Sequence, residues 1–210
     1  MKNSMKELCE EIETLLSDVT IELAATPDGR VNSTLDEDPI VEALKNVLPN
    51  RINTTPPRNW YDVLIDGVPF NIKCTTGKSA DNSGNYLMLR YAFTNENAEI
   101  LLNTAVNKTK DIMPLLPLIS QFRSGKEIEE VERDYGFIVY NKVQHKFSVV
   151  PLKEIEKVTS NPSNLPFQIK WSNLTRVDRS ITESFRILVT EPLEAVERSF
   201  EVKVYKALYE

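Results

Sequence analysis

The stretch Trp60–Cys74, WYDVLIDGVPFNIKC, constrains this chain more than any other. An Asp66-Gly67 pair separates two apolar-rich runs, Trp60–Ile65 and Val68–Lys73. Asp-Gly suits the two positive-φ positions of a tight turn, so the stretch is expected to fold as a β-hairpin. Side chains alternate along a strand. Asn71 and Lys73 therefore share one face of the return arm, and Phe70 and Ile72 share the other. Pairing the arms brings Asp62 toward Asn71 and Lys73. A carboxylate, a carboxamide and an ammonium then meet at one edge of a small sheet, which apolar packing alone does not require.

A length of 210 residues fits one domain, expected to span 1–210, and 41% hydrophobic content is enough for a core. No apolar run approaches the about 18 residues of a membrane span. The N-terminus, MKNSMKELCEEIETLL, carries acids where a signal peptide needs an apolar centre. Cys9 and Cys74 match no metal or redox spacing, so a reducing cytoplasm is the expected setting. The net charge of −6 argues against a protein that coats nucleic acid nonspecifically. It leaves room for a local basic cleft, because the potential in the groove is what steers DNA. The single histidine, His145, argues against His-based zinc sites and His–nucleophile triads.

Along the chain, Leu8, Ile12, Leu15 and Leu16 recur at helical spacing, which predicts an amphipathic helix over 2–17 for packing or dimerisation. A short strand is expected over 19–24 and a turn over 26–29. Asp36-Glu37-Asp38-Pro39 carries helix-start signals, so a helix is expected over 40–48. Pro56, Pro57 and Arg58 mark an extended connector into the hairpin. Residues 86–93 suit a strand or a helix start, and 98–122 a helix interrupted by Pro114 and Pro117. Residues 125–134 suit a short helix or loop. Strands are expected over 135–141, 147–152 and 166–171, a short helix over 153–158, a turn over 161–164 and a closing helix over 192–208. The sum is an α/β domain, a central mixed sheet of about five strands flanked by helices.

The pattern Asp62, then Asn71-Ile72-Lys73 nine positions on, resembles that of the PD-(D/E)xK nuclease superfamily, and within it the type II restriction endonucleases. In that family an Asp on one strand is followed, across a turn, by acid-x-Lys on the next. Asn71 departs from the pattern: a carboxamide offers an oxygen to a metal but no charge, which leaves metal affinity and metal number open. The resemblance implies a restriction-endonuclease-like core and Mg²⁺-dependent hydrolysis of double-stranded DNA at a short palindromic site by a homodimer. It implies Asp62, Asn71 and Lys73 as catalytic residues. It implies Asp62, Asn71, the Ile72 carbonyl and Glu42 as metal ligands, with Glu37 as the second choice for the helix acid. Lys73 would position or deprotonate the attacking water, or stay charged and stabilise the transition state.

The segment 74–85 that follows is small and polar. Thr75, Thr76, Lys78, Ser79, Asn82 and Asn85 carry the groups that read base edges. Several restriction enzymes place a recognition loop directly after the motif lysine, and this segment is similar to theirs. A second candidate is 170–179, with Asn173, Arg176 and Arg179. Gly77-Lys78-Ser79 lacks the glycine spacing of a P-loop. The competing expectations are a repair or junction-resolving nuclease of the same fold, a non-catalytic DNA-binding relative, and an unrelated α/β protein whose hairpin is only structural.

Overall fold

In the computed structural model, which describes residues 4–21, 29–56, 59–78, 80–105, 112–160 and 167–197, Asp66 and Gly67 take φ values of 52° and 82°. Two successive positive values are what a type I′ hairpin turn requires. The turn joins β2 (Val63–Ile65) to β3 (Val68–Thr75), antiparallel, with Val63 opposite Phe70. On the other edge of β2 lies β1 (Ile52–Thr54), also antiparallel. The chain returns to β3 much later as β5 (Gly136–Asn141), which runs parallel to it, and β6 (Lys146–Pro151) closes the sheet antiparallel to β5. The result is a mixed five-stranded sheet in the order β1-β2-β3-β5-β6, flanked by helices.

A parallel pair needs a crossover. Here it contains β4 (Asp81–Asn82), α3 (Tyr86–Phe93), α4 (Ala98–Leu102), a 3₁₀ turn at Met113–Leu115 and α5 (Leu116–Arg123). β5 is buried almost throughout because both faces of the sheet are covered. Ile138 and Tyr140 join Phe70, Ile72 and Val63 in a core beneath α1 (Met5–Leu16) and α2 (Gly29–Val47). Phe137 and Val139 face the other way, into a core with Trp60, Tyr135, Phe93 and Phe185.

Several elements differ from their expected form. α2 begins at Gly29, so Pro39 lies inside the helix and Asp36–Pro39 is not its start. Residues 19–21 are not a strand, and 22–28 lie outside the described residues. Residues 86–93 form a helix because Asn85 caps it, its side chain accepting from Met88 N at 2.9 Å. The helix expected over 98–122 is two short ones, and 106–111 are outside the described residues. Residues 153–158 hold only the end of a 3₁₀ turn, Leu152–Glu154. The strand at 166–171 is β8 (Phe167–Ile169), and it belongs to a second sheet, β4-β8-β7, with β7 at Thr159–Ser160. The closing helix starts earlier, as α6 (Ile181–Phe185), and passes through a π turn at Arg186–Thr190 into α7 (Glu191–Glu197). A widened turn just ahead of Pro192 suits a ring that would press on the carbonyl four residues back. Residues 198–210 are outside the described residues.

Leu8, Ile12 and Leu16 of α1 are buried inside the fold, and Leu15 of the same stripe is 39% exposed. Ile100 on α4 and Met113 after it are instead 67% and 64% exposed. Among the described residues, no helix is long and apolar enough to cross a membrane.

Candidate active site

Asp62 is held by the chain on both sides of it. Trp60 is buried, its indole Nε1 donating to Leu101 O at 3.0 Å and its ring stacked on Tyr135 at 5.6 Å between centroids. Tyr135 Oη donates to Trp60 O at 2.8 Å. Asp62 N donates to Phe70 O at 2.8 Å, which extends the ladder by one residue, and Thr55 Oγ1 donates to Asp62 O at 3.1 Å. With its backbone fixed, the Asp62 carboxylate accepts from Ile72 N at 2.5 Å. Burial raises its pKa above the ordinary carboxylate range, while Lys73 and the Ile72 N–H pull it down.

The N–H and C=O of one strand residue point to the same side, and this decides where Ile72 offers its carbonyl. The Ile72 N–H meets the Asp62 carboxylate beyond the start of β2, so its carbonyl points into that same space. Asn71 lies on the opposite face of β3 from the Phe70 and Ile72 side chains. The buried Tyr135 phenol lies near it. The Asn71 Oδ1 is buried and has no hydrogen-bond partner. An unpaired buried acceptor costs free energy; a cation would relieve it. Tyr135→Phe should remove the bond to Trp60 O, leave that buried carbonyl without it, and destabilise the protein by about 1–3 kcal/mol. Urea unfolding measures it, and a loss well under 1 kcal/mol would mean that the phenol does not hold this corner together.

Lys73 is on the Asn71 face of β3 and within electrostatic reach of Asp62 and of a second carboxylate, Asp81. Asp81 is half-buried on β4. Burial raises its pKa, and the neighbouring Lys73 and Thr75 lower it. Glu42 and Glu37 line, with Asp38, Tyr61 and Asp62, one cleft of about 880 Å³. Glu42 is exposed and paired with Lys45 at 2.7 Å. Among the described residues, no three His, Cys, Asp or Glu side chains form a metal-holding group by themselves. Mg²⁺, however, takes one or two carboxylates and completes its shell with waters and substrate oxygens. Asp62, the unpartnered Asn71 oxygen and the Ile72 carbonyl fit such an ion.

The two candidate recognition segments form one surface. Asn82 on β4 is opposite Gln168 on β8, and Gln168 Nε2 donates to Asn82 Oδ1 at 3.0 Å. Gly77, at φ 74°, packs so closely on the second segment that a Cβ there would lie 2.9 Å from Ser172 Cβ. Thr76, Lys78 and Asn82 are exposed on this surface. Thr75 is buried and Asn85 caps α3, so both are placed for structure and not for reading bases. Arg176 ties β6 to α1 through Val149 O at 2.9 Å and Glu13 at 2.7 Å. Arg179 is likewise bound to Lys153 O and Ser184, inside the fold. Asn173 sits in the 3₁₀ turn Trp171–Asn173. Ser79 and Arg58 lie outside the described residues.

Sequence reasoning passed over Asp81, Tyr135 and Gln168. Asp81 had a signal, the one acid in an otherwise neutral-to-basic segment after Lys73. Tyr135 had none, since its part depends on β5 lying beside β3. No family model, curated protein or solved structure significantly matches the chain.

Proposed function

We propose that this protein is a Mg²⁺-dependent endonuclease of the PD-(D/E)xK type, cutting double-stranded DNA at a specific site as a type II restriction enzyme does, on a restriction-endonuclease-like core. The observation that carries the reading is the convergence of Asp62, the unpartnered Asn71 Oδ1, the Ile72 carbonyl side and Lys73 where β2 and β3 part. Asp62, Asn71 and Ile72 would hold Mg²⁺, and the cleft with Glu37 and Glu42 leaves room beside them for a phosphate backbone. Bound Mg²⁺ supplies a polarised water and charge relief at the phosphoryl oxygens. Lys73 faces the same space and stabilises the added negative charge of the transition state, or takes the proton of the attacking water. Thr76, Lys78 and Asn82 are the exposed groups on the adjoining surface suited to base edges. A homodimer would give one active site per strand.

Burial places the Asp62 pKa above that of an exposed carboxylate, and a metal would compete with the proton there. Metal affinity should therefore fall on acidification sooner than an ordinary carboxylate site, whose groups titrate near about pH 4, would allow. Mn²⁺ titrations at stepped pH measure this; affinity unchanged down to that range would contradict it. The direct test of function is incubation with phage DNA and Mg²⁺, with and without chelator. Discrete chelator-sensitive fragments support a site-specific endonuclease. Binding without cleavage would favour the non-catalytic relative that Asn71 first suggests.

A further inference from the structure

The small sheet β4-β8-β7 packs one face on the core, and its outward face carries a row of two carboxamides and a hydroxyl. We infer that Gln168 reads an adenine of the DNA site through the major groove, with Asn82 as the residue that holds its amide in the reading orientation. This rests on the nuclease reading above.

The geometry begins on β8, the middle strand of the three. Phe167 and Ile169 are 0% and 2% exposed, in the core with Phe137 and Trp171. The period of two then sends Gln168 to the opposite face. Its direct neighbours across the sheet are Asn82 on β4 and Thr159 on β7, so the three side chains form one row. Asn82 and Thr159 are exposed, and Gln168, half-buried between them, is the longest of the row. Gln168 Nε2 donates one of its two protons to Asn82 Oδ1 at 3.0 Å. The other Nε2 proton and Oε1 together match adenine, whose N7 accepts and whose N6 donates. Lys170, exposed and still in extended backbone, follows two residues on. Thr159, Gln168 and Lys170 line one recess of about 350 Å³, which puts a cation beside the row to meet a phosphate. The sheet is also tied to the strand that carries Lys73. β4 follows β3 by way of Gly77, which packs on Ser172 just past β8.

The experiment is digestion of phage DNA with Mg²⁺ by the full-length wild type and its variants, with the fragment ends sequenced to give the preference at each base pair. The wild-type site should contain an A·T pair at which Gln168→Ala loses about 5- to 150-fold of discrimination, with the preference at other positions kept. Gln168→Glu, which only accepts, should move that one position from adenine toward cytosine, a change that a merely structural role would not produce. Asn82→Ala should weaken the preference there by several-fold, and Asn82→Asp, which keeps the acceptor, should restore it. Both Gln168 substitutions lie on the outward face, so neither opens the core. If both cut with the wild-type preference at every position, or if the wild-type site holds no A·T pair, the assignment of Gln168 is overturned and the nuclease reading stands. If the wild type neither cuts nor binds DNA, both fall. If it binds without cutting, sequences selected from a random duplex pool replace the fragment ends, and the same change at one position supports the assignment while its absence overturns it.

Discussion

Asp62→Asn should abolish metal-dependent cleavage and, in the metal-free protein at neutral pH, raise the melting temperature by about 2–4 °C, the shift that ~1 kcal/mol gives in a chain of this size. Both effects come from one buried carboxylate. Burial lifts its pKa above the unfolded value, so the folded state holds this proton more tightly than the unfolded state does. The stability tied to that proton is complete below the unfolded pKa and is lost as pH rises through the raised, folded pKa. At neutral pH the charge is a cost, which Lys73 and the Ile72 N–H offset only in part. Asparagine removes the charge and keeps an oxygen for Ile72 N. Asp62→Ala also abolishes cleavage, but it leaves that N–H without an acceptor and should lower stability by about 1–3 kcal/mol. Opposite stability shifts for two inactive variants are the signature of a charge kept for function. A melting temperature lowered equally by both would show that the Asp62 charge is structural.

Lys73→Met should reduce cleavage by about 10²–10⁴-fold, the range for a positioned proton-transfer or charge-stabilising group, while leaving Mn²⁺ affinity equal to or tighter than wild type. The reason is the position of the ammonium, which already stabilises the ionised form of Asp62 and would compete electrostatically with a metal there. Removing it takes away a repelling charge and not a ligand. Single-turnover cleavage together with calorimetry separates the two quantities. Loss of metal binding along with activity would recast Lys73 as a residue that only holds the site together.

The hairpin was legible because its information is local: Asp66-Gly67 sets the turn, and the period of two sorts Asn71 and Lys73 from Phe70 and Ile72. The N-terminal helix was legible for the same reason, although its apolar stripe did not say whether it would pack inside or outside. The parallel pairing of β3 with β5 was not legible, because β4, α3, α4, a 3₁₀ turn and α5 all lie between the two strands. Everything that depends on that pairing was hidden with it, including the Tyr135 phenol near Asn71. The second sheet was hidden because β4 and β7 are two residues each, too short for any periodicity. Polar composition marked 74–85 as a recognition segment, yet composition does not separate exposed Lys78 and Asn82 from buried Thr75 or from Asn85, which caps a helix. The acids before Pro39 misled in a similar way, since helix-start signals also occur within a helix when packing extends it.

The central claim is that the edge where β2 and β3 part is a metal-dependent phosphodiesterase site. It is tested most directly by incubating the purified wild-type protein and Asp62→Asn with phage DNA, over a Mg²⁺ titration and with a chelator control, and reading the products on a gel. Discrete fragments from the wild type, lost with chelator and lost in Asp62→Asn, are the expected result. Cleavage that persists in Asp62→Asn, or a wild type that neither binds nor cuts DNA at any Mg²⁺ concentration, would contradict it.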